Sequence, residues 1–160
     1  MPAITALLHA HNDALRLGRA LETLLPCDEI LVVDHGSHDA TARIASEYGA
    51  RVVASDDGAQ AGHYLRLARH DWILCLDTRE SLTEALAASL FEWKAQPLKL
   101  PAAPAFSFLL REETADGWRE IPTPQNRLIP RTWSHWQELL PSPEPSAVLL
   151  EGPLLRFLLP

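Results

Sequence analysis

Two short acidic clusters have the residue types to do chemistry. The first, Asp34-His35-Gly36-Ser37-His38-Asp39, gathers two carboxylates, two imidazoles and a hydroxyl around one glycine, directly after the apolar run Ile30 to Val33. The second, Asp77-Thr78-Arg79-Glu80, follows the apolar run Trp72 to Leu76. A carboxylate placed just past a buried run faces whatever crevice opens there, and it accepts hydrogen bonds from a nucleobase imide or a ribose hydroxyl. Gly36 lets the chain bend sharply, and Ser37 can cap a following helix whose first amides are otherwise unpaired. Taken singly, Asp34, Ser37 and Asp39 are also what an ordinary turn and helix cap require. Recurrence of the same arrangement after two separate apolar runs is what sets them apart.

The elements that position these clusters are legible from periodicity over the first 95 residues. Ile4–Leu8 reads as a buried strand, and Asn12 or Asp13 then caps a helix carrying Ala14, Leu17, Leu21, Leu24 and Leu25 up to Pro26. Glu29–Val33 is a second strand, Ser37–Tyr48 a helix closed by Gly49, and Arg51–Ala54 a third strand. A polar turn at Ser55–Gly58 leads into a helix ending near Ala68, then the strand Trp72–Leu76. Ser81 with Glu84 three residues on is a capping-box start for a helix carrying Leu86, Leu90 and Trp93. Strands alternating with helices imply βαβ units, hence an α/β fold with a mostly parallel sheet flanked by helices. In such sheets ligands bind at the carboxyl ends of the strands, where Asp34 and Asp77 stand.

From Pro97 onward the character changes. Ten of the 13 prolines lie between Pro97 and Pro153 and the helical period disappears, which predicts a short antiparallel C-terminal part. The 160 residues, 47% hydrophobic and 22% charged, suffice for one domain with a real core, divided at about residue 95. A formal charge of -7 argues against nucleic acid as a partner. Cys27 and Cys75 stand in no metal-like or redox spacing, as expected of reduced thiols in a cytoplasmic protein, and Cys75 reads as core. No stretch reaches the roughly 20 apolar residues of a membrane span, and the N-terminus lacks the pattern of a secretory signal. The apolar tail Leu149–Pro160 reads as a last strand, or as a peripheral contact with the inner membrane or a protein partner.

Four elements in order resemble the family 2 glycosyltransferases of the GT-A fold: His11-Asn12-Asp13 after the first strand, the VDHGSHDAT turn Val33–Thr41, YGARVV at Tyr48–Val53, and DWILCLDTRE at Asp71–Glu80. The subgroup it most resembles includes lipopolysaccharide-core transferases. The resemblance covers Ile4 to about Trp93, and it implies a nucleotide-binding half at residues 1–95 and a truncated acceptor-side half at 96–160. It also implies a nucleotide-diphosphate sugar as donor and a glycan or lipid-linked acceptor. By the same resemblance Ala10, Asp13, Asp34 and Asp39 line the base and ribose pocket, while Asp77 and its neighbours hold ribose and a divalent metal, Mg²⁺ or Mn²⁺, on the diphosphate.

The chain departs from that pattern at its most chemical point. Where the family has Asp-x-Asp, here stands Asp77-Thr78-Arg79, and a guanidinium repels a cation instead of ligating it. Two readings follow: Arg79 pairs with the diphosphate in a metal-independent transfer, or catalysis is lost and Arg79 only bridges to Asp77 or Glu80. Glu80, matching the last acid of the family element, remains a metal candidate together with Asp77. The His-Glu pair of the acceptor side has no counterpart, leaving Glu138 and Glu144 as candidate bases. The segment Gly58, Gln60, Gly62, His63 departs as well, with Arg66 and Arg69 only later.

Three rival readings stay open. His9, His11, His35 and His38 follow neighbouring strands and form a possible transition-metal set. VDHG is also similar to metallophosphatase turns, without their second histidine. A catalytically degenerate domain would keep nucleotide or sugar recognition, or act as a scaffold, with Trp118, Trp133 and Trp136 available to stack on sugar faces.

Overall fold

The computed structural model describes residues 1–96 and 102–160. The change of character at Pro97 falls on residues outside the described ones. The chain runs β1 (Ile4–Ala10), α1 (Leu17–Leu21), β2 (Glu29–Asp34), α2 (Thr41–Glu47), β3 (Arg51–Ala54), a 3₁₀ segment (Ala61–Leu67), β4 (Trp72–Asp77), β5 (Glu80–Leu82) and α3 (Glu84–Ala95). Then come β6 (Phe106–Thr114), β7 (Gly117–Pro130), the two-residue strands β8 (Trp136–Gln137) and β9 (Leu140–Pro141), and β10 (Val148–Arg156).

One eight-stranded sheet, ordered β3-β2-β1-β4-β7-β6-β10-β5, unites both halves of the sequence. β1 pairs in parallel with β2 and β4, and β2 with β3. Apolar residues on alternate sides of these strands feed two separate cores, so both faces are covered. Ile4, Ala6, Leu8, Leu74 and Leu76 pack with α1 and α3, while Leu7, Leu31, Val33, Ile73 and Cys75 pack beneath the 3₁₀ segment and the Trp133–Leu140 stretch. Cys75 is buried as expected, and burial pushes its thiol up to about 12.

Local departures from periodicity have identifiable causes. α1 begins at Leu17, one turn later than expected, and the amides of Asp13 and Ala14 ahead of it are taken by Thr41 and Asp39 across the sheet end. α2 begins at Thr41, since Ser37 is drawn back onto Asp34 and caps no helix. The segment before β4 winds as a 3₁₀ helix. Ser81 lies in β5, whose pairing with β10 takes precedence over a cap, and Thr83 caps α3 instead by accepting from Leu86 N–H at 3.2 Å. In the proline-rich part β6 and β7 are antiparallel as expected. β10 returns parallel to β6, the connection between them being long enough for a crossover.

The interaction that ties the late strands to the early ones is an ion pair with no access to water. Glu80 is 0% exposed, and its carboxylate meets the Arg127 guanidinium of β7 at 2.5 and 2.9 Å. Arg156 of β10 adds a contact at 3.0 Å, and Asp77 N–H donates at 2.8 Å. β10 also carries a register shift between Leu149 and Pro153, where Gly152 has a φ of +99°. There a Cβ would stand 2.3 Å from Leu86 N in the first turn of α3.

Two stability measurements follow. Glu80→Ala should cost about 3–5 kcal/mol in urea unfolding, because it strands a buried guanidinium. A loss under about 1 kcal/mol would show that the pair does not hold the strands together. Gly152→Ala should cost about 3 kcal/mol through backbone overlap and a left-handed φ, and an unchanged midpoint would refute the close approach.

Candidate functional site

The strand order reverses at β1: β2 and β3 lie to one side of it and β4 to the other. At this switch point Ala10 stands opposite Asp34 and His9 opposite Asp77, so both acidic clusters converge on one edge of the sheet.

Two relays of hydrogen bonds stitch the His11–Ala14 loop to the Asp34–Thr41 turn. Asn12 N–H donates to Ser37 Oγ at 2.9 Å, and that hydroxyl donates to Asp34 Oδ1 at 2.5 Å. In parallel, Asp13 N–H donates to Thr41 Oγ1 at 2.8 Å, and the Thr41 hydroxyl donates to Asp39 Oδ1. Asn12, at φ +51°, accepts His38 N–H at 2.8 Å, and His35 N–H donates to Ala10 O at 2.8 Å. Gly36 supplies the bend with φ +68°.

The carboxylates of this edge are unequally engaged. Asp34 uses only Oδ1 on Ser37, and Oδ2 has no protein partner among the described residues. Asp39 is bonded through both oxygens, to Thr41 and to Ala14 N–H, and the Thr41 hydroxyl in particular holds its carboxyl below the usual range. Asp13 accepts His11 N–H at 2.9 Å and lies 3.4 Å from Arg16. Ala10 is buried and contributes its carbonyl.

At the second cluster Arg79 forks onto Asp77. Its Nε donates to Oδ1 at 2.9 Å and its Nη2 to Oδ2 at 3.1 Å, with Arg79 N–H also on Oδ1 at 2.9 Å. Burial raises the Asp77 carboxyl, but Arg79, with Arg156 beyond it, outweighs that and holds it below the ordinary carboxylate value. Glu80 does not join this edge, since both of its oxygens are spent on Arg127 and Arg156. Both Asp77 oxygens are thus engaged by Arg79, and both Glu80 oxygens by buried or half-buried guanidiniums.

The acceptor-side candidates lie on loops of the later half. Glu138 is exposed at the tip of the β8–β9 hairpin with φ +56°, and it lines a cleft of about 240 Å³ with Gln125, Asn126 and Gln137. Glu144 accepts from the Ser146 hydroxyl at 2.6 Å, a bond that lowers its carboxyl, so it serves a turn. Of the histidines, His9 Nδ1 and His35 Nε2 are 2.8 Å apart, and His11 Nδ1 lies 2.6 Å from His35 O. Burial, and then His35, bring His9 down to about 4, which keeps it neutral. No group of three or more His, Cys, Asp or Glu converges as metal ligands among the described residues.

Arg127 is the residue that sequence reasoning overlooked. Nothing local in Gln125-Asn126-Arg127-Leu128-Ile129 marks it for burial, since its partner Glu80 lies 47 residues earlier.

A TPR repeat-containing protein of Synechococcus elongatus is 35% identical over 122 residues, covering 73% of this chain and 29% of the relative. An uncharacterized glycosyltransferase of Rickettsia felis is 34% identical over 90 residues, covering 54% of this chain and 32% of the relative. The chain therefore spans less than a third of the length of these relatives. Among solved structures, Staphylococcus aureus TarS 1-349 superposes with a TM-score of 0.50 at 18% identity, over 76% of this chain and 38% of that one. Glucosyl-3-phosphoglycerate synthase from Mycobacterium tuberculosis in complex with UDP gives 0.49 at 22% identity, over 69% and 44%. Residues 5–90, more than half of the chain, match Glycosyl transferase family 2, and the protein belongs to that family.

Proposed function

We propose that the chain carries the donor half of a glycosyltransferase that moves a sugar from a nucleotide diphosphate to a glycan or lipid-linked acceptor of the cell envelope, of the lipopolysaccharide-core type. The observation that carries this reading is the open Oδ2 of Asp34, set on the same sheet edge as the Asp77–Arg79 fork. Asp34 receives the nucleoside through that oxygen, and Asp39, Asp13 and Ala10 fix the shape of its pocket. Asp77 serves the ribose.

Arg79 takes the place of a metal. Its side chain is 44% exposed and that of Asp77 27%, so the fork lies within reach of an incoming diphosphate, whose oxygens suit the guanidinium as well as a carboxylate does. In the transfer, the acceptor hydroxyl attacks the anomeric carbon as the bond to the diphosphate oxygen breaks, and the departing charge falls on the guanidinium. Glu138, facing the cleft beside β7, is the candidate to take the hydroxyl proton. The reaction would take place in the cytoplasm. Leu158 and Leu159, 52% and 67% exposed, offer apolar surface for a peripheral membrane or protein contact; no helix among the described residues is long and apolar enough to cross a membrane.

A second reading, a domain that binds nucleotide or sugar without turnover, draws support from the bidentate closure of Arg79 on Asp77 and the burial of Glu80. Calorimetric titration of UDP and other nucleoside diphosphates, with Mn²⁺ and then with EDTA, tests both readings. Binding should survive EDTA, weaken at least about tenfold in Arg79→Ala, as loss of a charge-assisted fork implies, and disappear in Asp34→Ala. If no nucleotide binds in either condition, the donor site is refuted.

A further inference from the structure

We infer that the groove between the 3₁₀ segment and the Trp133–Trp136 loop is a binding site for an anionic saccharide, with the sugar ring against the indoles and its carboxylate or phosphate on Arg66. The groove encloses about 440 Å³ and is lined by Gln60, Gly62, His63, Arg66, Trp133 and Trp136, among others. That volume lies within the range of roughly 300–1,000 Å³ usual for small-molecule clefts. None of its lining residues belongs to the Asp34 and Asp77 clusters.

Charge singles out Arg66. In the described residues every other arginine is engaged: ten lie within 4 Å of a carboxylate, and Arg19 stacks 3.9 Å over the Phe157 ring. Arg66 alone has neither a carboxylate nor an aromatic ring, although the chain carries an excess of acid at -7. An exposed guanidinium left unpaired in such a chain is available to a ligand oxyanion, and its planar fork suits carboxylate and phosphate alike.

The aromatic wall is held in place. Trp133 is pinned by its indole N–H on His135 O at 2.5 Å, and both Trp133 and Trp136 pack against the second core. The indole N–H of Trp136 has no acceptor among the described residues, and a Cβ at Gly62 would stand 3.4 Å from that nitrogen. The glycine thus leaves this edge uncovered, where a larger residue would fill the groove. On the other side His63 is tied to Asp56 at 2.7 Å and set edge-on to Tyr64. Polarised C–H groups of a pyranose suit the electron-rich face of an indole, the free N–H suits a ring hydroxyl, and Arg66 selects for the anion. The site does not depend on donor binding or turnover.

The test uses the full chain with methyl β-glucuronide, glucose 6-phosphate, neutral methyl β-glucoside and inorganic phosphate, read by tryptophan fluorescence and saturation-transfer NMR. Both anionic sugars should bind at least about tenfold more tightly than the neutral one, a charge-assisted margin, and their relative affinity distinguishes a carboxylate from a phosphate ligand. Arg66→Gln should reduce them to the neutral level. Trp136→Ala should abolish binding, and Gly62→Leu, which fills the groove while keeping Trp136, should do the same if the tryptophan variant unfolds. UDP should not compete. The proposal is overturned if no sugar binds, if Arg66→Gln leaves anionic binding unchanged, if inorganic phosphate binds as well as glucose 6-phosphate, or if UDP displaces the sugars.

Discussion

The structure turns on one buried carboxylate. Glu80 sits at the start of β5 with 0% exposure, and it is held there by guanidiniums from β7 and β10 and by the backbone N–H of Asp77. Arg127 reaches further, to Cys75 O at 3.3 Å, and Arg156 also pairs with Glu112 of β6 at 3.2 Å. A single network therefore joins the carboxyl end of β4 to β6, β7 and β10. Breaking such a network at one member leaves charge in a place water cannot reach, so its partners are constrained together. Because Asp77 is bonded directly to Glu80, this pair also sets the geometry of the sheet edge at the end of β4.

Above that pair, the edge is built from the opposite kind of bond: short side-chain acceptors on backbone amides. Ser37, Asp39 and Thr41 divide their oxygens between their own turn and the His11–Ala14 loop. These bonds satisfy loop amides that no strand or helix of the chain takes up. The His9–His35 contact adds a third tie across the strand ends, and its buried, neutral state fits a role in packing beside Tyr64.

Most of the architecture was legible because its cause is periodic. The parallel strands around Leu7, Val33 and Ile73, the α3 face with Leu86, Leu90 and Trp93, and the convergence of Asp34 and Asp77 all follow from runs and spacing. What was not legible depended on partners distant in sequence. Glu80 is an acid after a strand, like Asp77, and nothing local distinguishes the two; Arg127, 47 residues on, decides which is buried. The same holds for Ser81, whose place in β5 is dictated by β10, and for Asp13, whose amide is claimed by Thr41. Side chains with two plausible uses are resolved only by tertiary contact.

Arg79 also changes the charge balance of the whole edge. Asp77, Glu80 and Glu112 supply three carboxylates to the network, while Arg79, Arg119, Arg127 and Arg156 supply four guanidiniums. The local surplus is positive in a chain that is acidic overall. Of these cations, Arg127 is 1% exposed and Arg156 20%, both anchored to Glu80, and Arg119 is tied to the β6–β7 hairpin. Arg79 alone is both near Asp77 and accessible enough to turn. On the proposed reading, the positive charge that a divalent metal would bring to a diphosphate is covalently attached to the chain, and it is stored in the free protein as an ion pair with the carboxylate that would otherwise have bound the metal.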